Sequence, residues 1–402
     1  MENITKKVKI DHMLLHMAYQ CMCGIVFGFS VYMLIERGFS SSAAGVCMAL
    51  CNGISVVLQS IISNYLDENQ KYTVYDVVLF LAILMFAFYL SCSLIRSNVI
   101  LIAVTFCLGV GIYCTLDAFI NSMTQDFVHK GIELDFGFSR GIGTLTYGTI
   151  CVIFGSLTDN HGFISVLIGG CIFCLFIVLM VLLIRGDFKY LEANKVKEVK
   201  PAGYKREVFN FGQFILNNKR FILLCIFLTG LYYSFSASDS FMILVVENVG
   251  GNSNDLGKIL GFKSLLEGFG MICYTRLRKK LKLNTVLAIS ALSFAAKAFV
   301  VYFASNIFML YVAQLFQATS FAFMIPAMVE YVTANMDHKM YRRGNSFAIM
   351  TLKLGQLFSS FISGFVSDNF GIQVVLLFGL VIGFMSSLGF VSTLMLNISE
   401  TK

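Results

Sequence analysis

Tryptophan is absent from this chain of 402 residues, proline occurs twice, and histidine five times. Without tryptophan, tyrosine and phenylalanine must supply any anchoring at a membrane–water boundary. Charged residues make up only 13% of the chain, about half the fraction usual in soluble domains, which excludes a soluble globular protein of this size. No metal-ligating constellation, nucleophile elbow or phosphate-binding loop can be found in the sequence, so no enzyme and no cofactor is expected. The single long polar stretch runs over residues 185 to 220. A non-transporting membrane sensor is a further, lower-ranked alternative, since no appended signalling domain supports it. Cysteine is plentiful, with 12 residues, but Cys21, Cys23, Cys107, Cys114 and Cys225 all sit inside apolar runs. The pair Cys171 and Cys174 has redox or zinc spacing, yet it lies mid-run with no second pair or neighbouring histidine, so these thiols read as small apolar filler.

What is present is hydrophobic length. The chain is 57% apolar with a mean hydropathy of +0.78. Windows of about 20 residues place twelve apolar spans near 13–35, 43–64, 74–95, 98–121, 138–158, 163–184, 221–246, 257–275, 284–303, 308–333, 345–366 and 373–395. The fold class is therefore all-α and integral to the membrane. The basic start "MENITKKVKIDH" is followed by an apolar run without a small-residue cleavage pattern, and reads as the approach to a first span.

Charge sets the expected orientation. With the N-terminus inside, cytoplasmic segments hold 23 of the 30 Lys and Arg residues, while outer loops hold only Arg37, Arg96 and Lys258. Both termini are then cytoplasmic, and the net charge of +7 is a topology signal that needs no nucleic-acid partner. The polar stretch divides the chain into a six-helix bundle over 1–186, a linker over 187–219 and a second six-helix bundle over 220–402. A repeat supports the division: Gly155, Asp159, Asn160 and Gly162 recur as Gly364, Asp368, Asn369 and Gly371, each displaced by 209 residues. Two six-helix halves in parallel repeat are the arrangement expected of a major-facilitator transporter.

Each ionisable group at mid-membrane depth costs about 2.5–3.5 kcal/mol, so each needs a partner, a wet cavity or a function. The first half offers Asp117 and Arg140, and the second offers Asp239, Glu267, Lys297 and Lys353. His16 and Lys263 fall near span ends, where snorkelling would satisfy them, and Glu36 and Glu330 read as solvated. Asp117 and Arg140 lie on consecutive helices at similar expected depth, and a bidentate pair would satisfy both. Tyr147 shares the Arg140 face at the i+7 spacing. A charge pair beside a ring suits a hydroxylated ligand, although the same pair also fits a plain helix-to-helix salt bridge. Asp239 with Lys353, and Lys297 with Glu267, are the expected pairs of the second half. Gly24, Gly28, Gly141, Gly148 and Gly155 allow close helix approach, and Pro326 is expected to bend its span.

The stretch "LDAFIN…FGFSRGIGTLTY" resembles spans 4 and 5 of lactose permease and the oligosaccharide–proton symporter family of major-facilitator transporters. In that family a glutamate, an arginine and a tryptophan stand where this chain has Asp117, Arg140 and Tyr147. The resemblance implies that these three bind a sugar-like group, and that Glu267 links sugar and proton sites. Asp239 matches one of two span 7 aspartates, with Ser236 at the other position, and Lys297 replaces an arginine. Span 10 departs from the family: Gln314, Gln317 and Ser320 replace its lysine, its histidine and the glutamate that carries the proton. The loop "SNYLDENQKY" is a degenerate superfamily gating motif that keeps Asp67 and Lys71, with Ser63 for its first glycine.

These observations together give the expectation of a multi-pass cell-membrane transporter, monomeric, moving a sugar or sugar-like solute by alternating access with a proton. Substrate contacts are expected at Asp117, Arg140, Tyr147 and Glu267, charge pairing or coupling at Asp239, Lys297, Lys353 and Gln317, and gating at Asp67 and Lys71. The alternative is a major-facilitator efflux pump for amphipathic compounds, which the 40 phenylalanines and 19 methionines would suit.

Overall fold

A computed structural model describes residues 2–68, 72–129, 132, 136–193, 211–336 and 341–396. The described secondary structure is helical throughout. Helix α1 (Glu2–Cys23), a π-helical stretch at Gly24–Phe29 and α2 (Ser30–Glu36) make one column. Helices α3 (Ser41–Glu68), α4 (Val74–Leu94), α5 (Val99–His129), α6 (Phe136–His161) and α7 (Ile164–Ala193) follow it. The rest of the chain holds α8 (Phe211–Asn217), α9 (Lys219–Asp239), α10 (Met242–Asn248), α11 (Ser253–Leu277) and α12 (Leu283–Tyr302). Next come α13 (Ile307–Leu315), a 3₁₀ turn at Phe316–Ala318, α14 (Phe321–Asn335), α15 (Tyr341–Phe370) and α16 (Ile372–Met395).

Among the described residues, eleven helical segments are long and apolar enough to cross a membrane. Helix α11, where the eighth span was expected, has 25 residues but carries Asp255, Lys258, Lys263 and Glu267, and is not among the eleven. Helix α7 runs well beyond the apolar window into the expected linker, to Ala193. Its extension is held by polar partners: Arg185 pairs with Asp76 at 2.5 Å, and Asp187 accepts from Lys7. Residues 194–210 of the expected linker lie outside the described residues, as does Lys71 of the gating loop. Asp67 is placed in the last turn of α3, its side chain outside the described residues.

The two parts of the chain meet along two seams, α6 against α11 and α3 against α15. Glycine makes both possible. A Cβ on Gly155 would meet the Gly257 Cα at 2.7 Å, and a Cβ on Gly45 would meet the Gly364 Cα at 3.0 Å. Two other members of the sequence repeat also act alike. Asn160 and Asn369 each donate to the carbonyl four residues back at 2.8 Å. Gly162 and Gly371 each take positive φ, 65° and 81°, to turn the chain after the helix. The fourth member differs. Asp368 accepts from the Ser41 and Ser42 backbone N–H groups at 2.8 and 2.7 Å, filling orphan donors at the start of α3. Helix α11 starts instead with its own Asn252–Asp255 capping box, and Asp159 is left exposed.

The core follows the seams. One buried apolar cluster runs through the first six spans and continues, at the Ser41 end, into Phe241, Val246, Leu256, Leu260 and Leu310 of the second part. At the opposite end the second part has a separate cluster around Phe221, Phe294, Tyr331 and Phe390, containing no residue of the first part. Among the described residues the chain is thus sealed across its halves at the Ser41 end and divided at the other.

Gly155→Leu is expected to force α6 and α11 apart, because backbone opposes backbone there, and to destabilise by about 1–3 kcal/mol. The readout is a lowered unfolding midpoint in detergent; Gly186→Ala, which has open space around it, should leave the midpoint unchanged. Asp368→Ala should cost about 0.5–2 kcal/mol through loss of the cap, and Asp159→Ala should cost nothing measurable in the same assay.

Candidate functional site

Helix α9 ends at Asp239 inside the bundle. The run "SFSASDS" is poor in strong helix formers, and Ser236 bonds Ser240 side chain to side chain at 2.9 Å across the break before α10. Asp239 thus stands at a helix C-terminus, whose carbonyl end favours cations. Lys263, from α11, donates to both its carboxylate oxygens at 2.7 and 2.6 Å. Lys297, from α12, lies 4.0 Å from Asp239 Oδ1 and donates to Gln317 Oε1 at 2.9 Å. Gln317 in turn donates to Glu267 Oε2 at 3.4 Å. Both ammonium groups also face the Phe235 ring, at 5.0 and 4.8 Å from its centroid. The result is a connected polar chain: Asp239, Lys263 and Lys297, Gln317, then Glu267.

Burial is deepest in the middle of this chain, and Asp239 at its start is half-buried. Lys297 and Gln317 are enclosed, Lys263 is 6% exposed, and Glu267 is half-buried. The pairing differs from the expectation. Asp239 holds Lys263 and Lys297, not Lys353, and Lys263 is buried on a carboxylate where snorkelling was expected. Lys297 reaches Glu267 only through the Gln317 amide. Gln317 is positioned by the 3₁₀ turn that interrupts the tenth column, and this interruption falls at Phe316–Ser320, ahead of Pro326, which lies inside α14. Glu330, expected to be solvated, accepts from Arg278 at 2.9 Å and Tyr274 at 2.8 Å.

The first half contributes from α5 and α6. Asp117 is half-buried and accepts from Asn121 at 3.3 Å. Tyr147 is half-buried on α6. Arg140 lies in the first turns of α6, but its side chain is outside the described residues, so the proposed pair with Asp117 is too. Tyr147 lies within electrostatic range of Asp239. The Cys23 thiol is within range of Asp117, Lys263 and Lys353, and Cys114 is within range of both Asp117 and Lys353. Lys353 and Asp117 thus both lie within range of the same two thiols, and the charged groups of both halves border one central region. The Ser264 hydroxyl donates to the Thr144 carbonyl, tying α11 to α6 beside it.

Several residues here carried no sequence signal strong enough to single them out. Tyr19 and Tyr113 stack at 4.7 Å between ring centroids, and Tyr113 donates to the Tyr19 carbonyl at 3.1 Å. Tyrosines at mid-span were the available clue. His16 is buried against His12, with ring centroids 4.7 Å apart, and does not snorkel. Among the described residues no group of His, Cys, Asp and Glu is placed to hold a metal ion.

Asp239→Asn strands two ammonium groups and is expected to destabilise by about 3–5 kcal/mol. The double variant Asp239→Asn with Lys263→Met should recover most of that loss. Thermal unfolding of the single and double variants gives the interaction energy; simple additivity would contradict the shared-carboxylate geometry.

The helix arrangement has solved counterparts. The nucleoside transporter NupG, 13% identical, aligns over 96% of this chain and 99% of its own with a TM-score of 0.78. A bacterial homologue of the human lysosomal transporter Spinster, crystallised inward-facing and unoccupied, is also 13% identical, over 98% of both chains, with a TM-score of 0.71. The peptide transporter POT in complex with alafosfalin, 11% identical, aligns over 96% of this chain and 93% of its own with a TM-score of 0.67. At such identities these likenesses speak for the fold alone. No curated protein sequence matches the chain. The family model described as the MFS_1 like family matches residues 13–378. With that match across nearly the whole length, the chain belongs to the MFS_1 like family and is a multi-pass membrane transporter of the major facilitator type.

Proposed function

We propose that the chain is a secondary active transporter that moves a sugar or sugar-like solute, coupled to protons, by alternating access. It would work as a monomer of two six-helix halves with both termini on the cytoplasmic side of a cell membrane, α11, eighth in order, completing the twelve spans. One observation carries the reading. A connected polar chain from Asp239 to Glu267 lies within otherwise apolar spans and borders the region shared with Asp117, Tyr147 and Lys353.

Groups that cost this much to bury are kept where they bind or relay. Asp117, Arg140 and Tyr147 suit a polyol: the charges bond paired hydroxyls, and the ring packs on an apolar sugar face. NupG carries nucleosides, whose ribose is such a hydroxylated group. Glu267 is a half-buried carboxylate at one end of the polar chain, joined to Lys297 only through Gln317, so it is the residue for exchanging a proton as the halves move. Gln317, with no ionisable group, passes the effect of Lys297 to Glu267 by hydrogen bonding. With the N-terminus inside, the sealed Ser41 end faces outward and the divided end faces the cytoplasm, an inward-facing arrangement. Asp67 and Lys71 would then gate the cytoplasmic side.

A second reading, efflux of amphipathic compounds, is favoured by a cavity of about 600 Å³ between α3 and α15. Its lining, with Leu50, Val57, Leu357 and Phe361, is wholly apolar.

The two readings part in proteoliposomes offered labelled sugars and nucleosides, with and without a proton gradient. Saturable, gradient-driven accumulation is expected for at least one hydroxylated solute. Asp117→Asn and Arg140→Ala should each weaken half-saturation about 10- to 100-fold, the size of a lost charge-assisted hydrogen bond. Intact saturable uptake in both variants would remove the binding-site assignment. Glu267→Gln should abolish accumulation while leaving solute exchange, whereas stimulation by sodium alone would overturn proton coupling. Extrusion of apolar dyes with no sugar or nucleoside uptake would favour the efflux reading.

A further inference from the structure

A second site lies away from the central region, where the ends of α3, α4 and α7 meet opposite the Ser41 end. A cavity of about 790 Å³ opens there, bordered by Ile61 and Tyr65 of α3, Tyr72 before α4, Phe80 of α4, and Arg185 and Lys189 of α7. Its polar side is built. Arg185 is fixed to Asp76 Oδ1 through Nε at 2.7 Å and Nη2 at 2.5 Å. Asp76 is itself held by the Thr73 capping box, accepting from the Thr73 backbone N–H at 3.1 Å and its hydroxyl at 2.7 Å. One turn beyond Arg185, on the same face, Lys189 is exposed and makes no ion pair among the described residues. Among the described lining residues, Arg185 and Lys189 against Asp76 leave one positive charge in excess.

The other side of the cavity is apolar. Ile61 and Phe80 are 59% and 64% exposed on helices that cross the membrane, and the Tyr65 and Tyr72 rings stack at 6.3 Å where those helices end. Cations at the helix ends, tyrosines at that level and an apolar trough beneath them follow the order of groups in a phospholipid. A water-soluble anion has no use for the trough, and a zwitterionic headgroup leaves the excess charge unanswered.

We propose that this cavity holds an anionic glycerophospholipid. Its phosphate accepts from Lys189 and from the Arg185 N–H groups not used by Asp76, and one acyl chain lies along Ile61 and Phe80. The site joins α7 to α3 and α4 at the end where the halves are divided, and it is independent of what the central region carries.

Native mass spectrometry of the purified full-length protein, titrated with phosphatidylglycerol, phosphatidylcholine of the same chains or inorganic phosphate, tests it. Phosphatidylglycerol should be retained over phosphatidylcholine. Lys189→Gln should weaken that retention about fivefold, the effect of one basic residue at an anionic surface, and Lys189→Arg should preserve it. Phe80→Gln should weaken retention as well, while Lys279→Gln, an exposed lysine at the same end of the other half, should not. Equal retention of the two lipids, or an unchanged Lys189→Gln, would overturn the proposal. Displacement of phosphatidylglycerol by inorganic phosphate at equal concentration would also overturn it, by marking a free-anion site.

Discussion

Two lysine ammonium groups share one aspartate deep in the second half, and the local architecture depends on that sharing. Lys263 and Lys297 come from different helices, α11 and α12, and Asp239 from a third. A single carboxylate is too little for two desolvated cations, so the excess positive charge is spread over the end of α9, the face of Phe235 and the Gln317 carbonyl. Each of these acceptors requires a departure from regular helix: α9 must stop at Asp239, and the tenth column must tighten into a 3₁₀ turn to aim Gln317. The breaks in spans seven and ten are therefore two answers to one electrostatic demand.

That demand was partly legible in the sequence. Charges standing alone in apolar windows marked Asp239, Glu267 and Lys297 at once, because lipid tolerates no unexplained ion. Which charge meets which was not legible. Lys263 looked peripheral because its window was drawn from residue 257, whereas α11 begins at Ser253. Ten residues of helix put its Cα about 15 Å from that start, well past the reach of a snorkelling side chain from the near surface. A boundary error of four residues, about 6 Å of rise, was enough to change its partner. Lys353 was assigned by depth alone; which face of α15 it occupies depends on how that helix packs along α3 and α9.

The repeat was legible to a different degree at each of its letters. Both outer glycines act where helices cross, both asparagines bond back along their helix, and both final glycines turn the chain with positive φ. These are backbone requirements, and letters report backbone requirements well. The aspartates answer to what lies across the seam, which no local spelling contains. Asp368 fills the two N–H groups at the start of α3 that the Ser40 cap on Ala43 leaves open, while α11 carries its own cap of Asn252 and Asp255 and Asp159 stays exposed.

The unequal aspartates make the Ser41 end mechanically lopsided. At the Gly155–Gly257 crossing of the α6–α11 seam, well away from the Ser264–Thr144 bond, resistance to parting is contact between smooth backbones, which weakens gradually as the gap grows. At the α3–α15 seam it is an ion seated on two N–H groups, directional and short in range, which holds firmly and then lets go within an ångström or two. A separation of the halves here would start along the α6–α11 edge with α3–α15 as its pivot, like a cover turning on a latch-side hinge. The last bonds to break would be those of Asp368, so this one carboxylate would set how abruptly the end comes open.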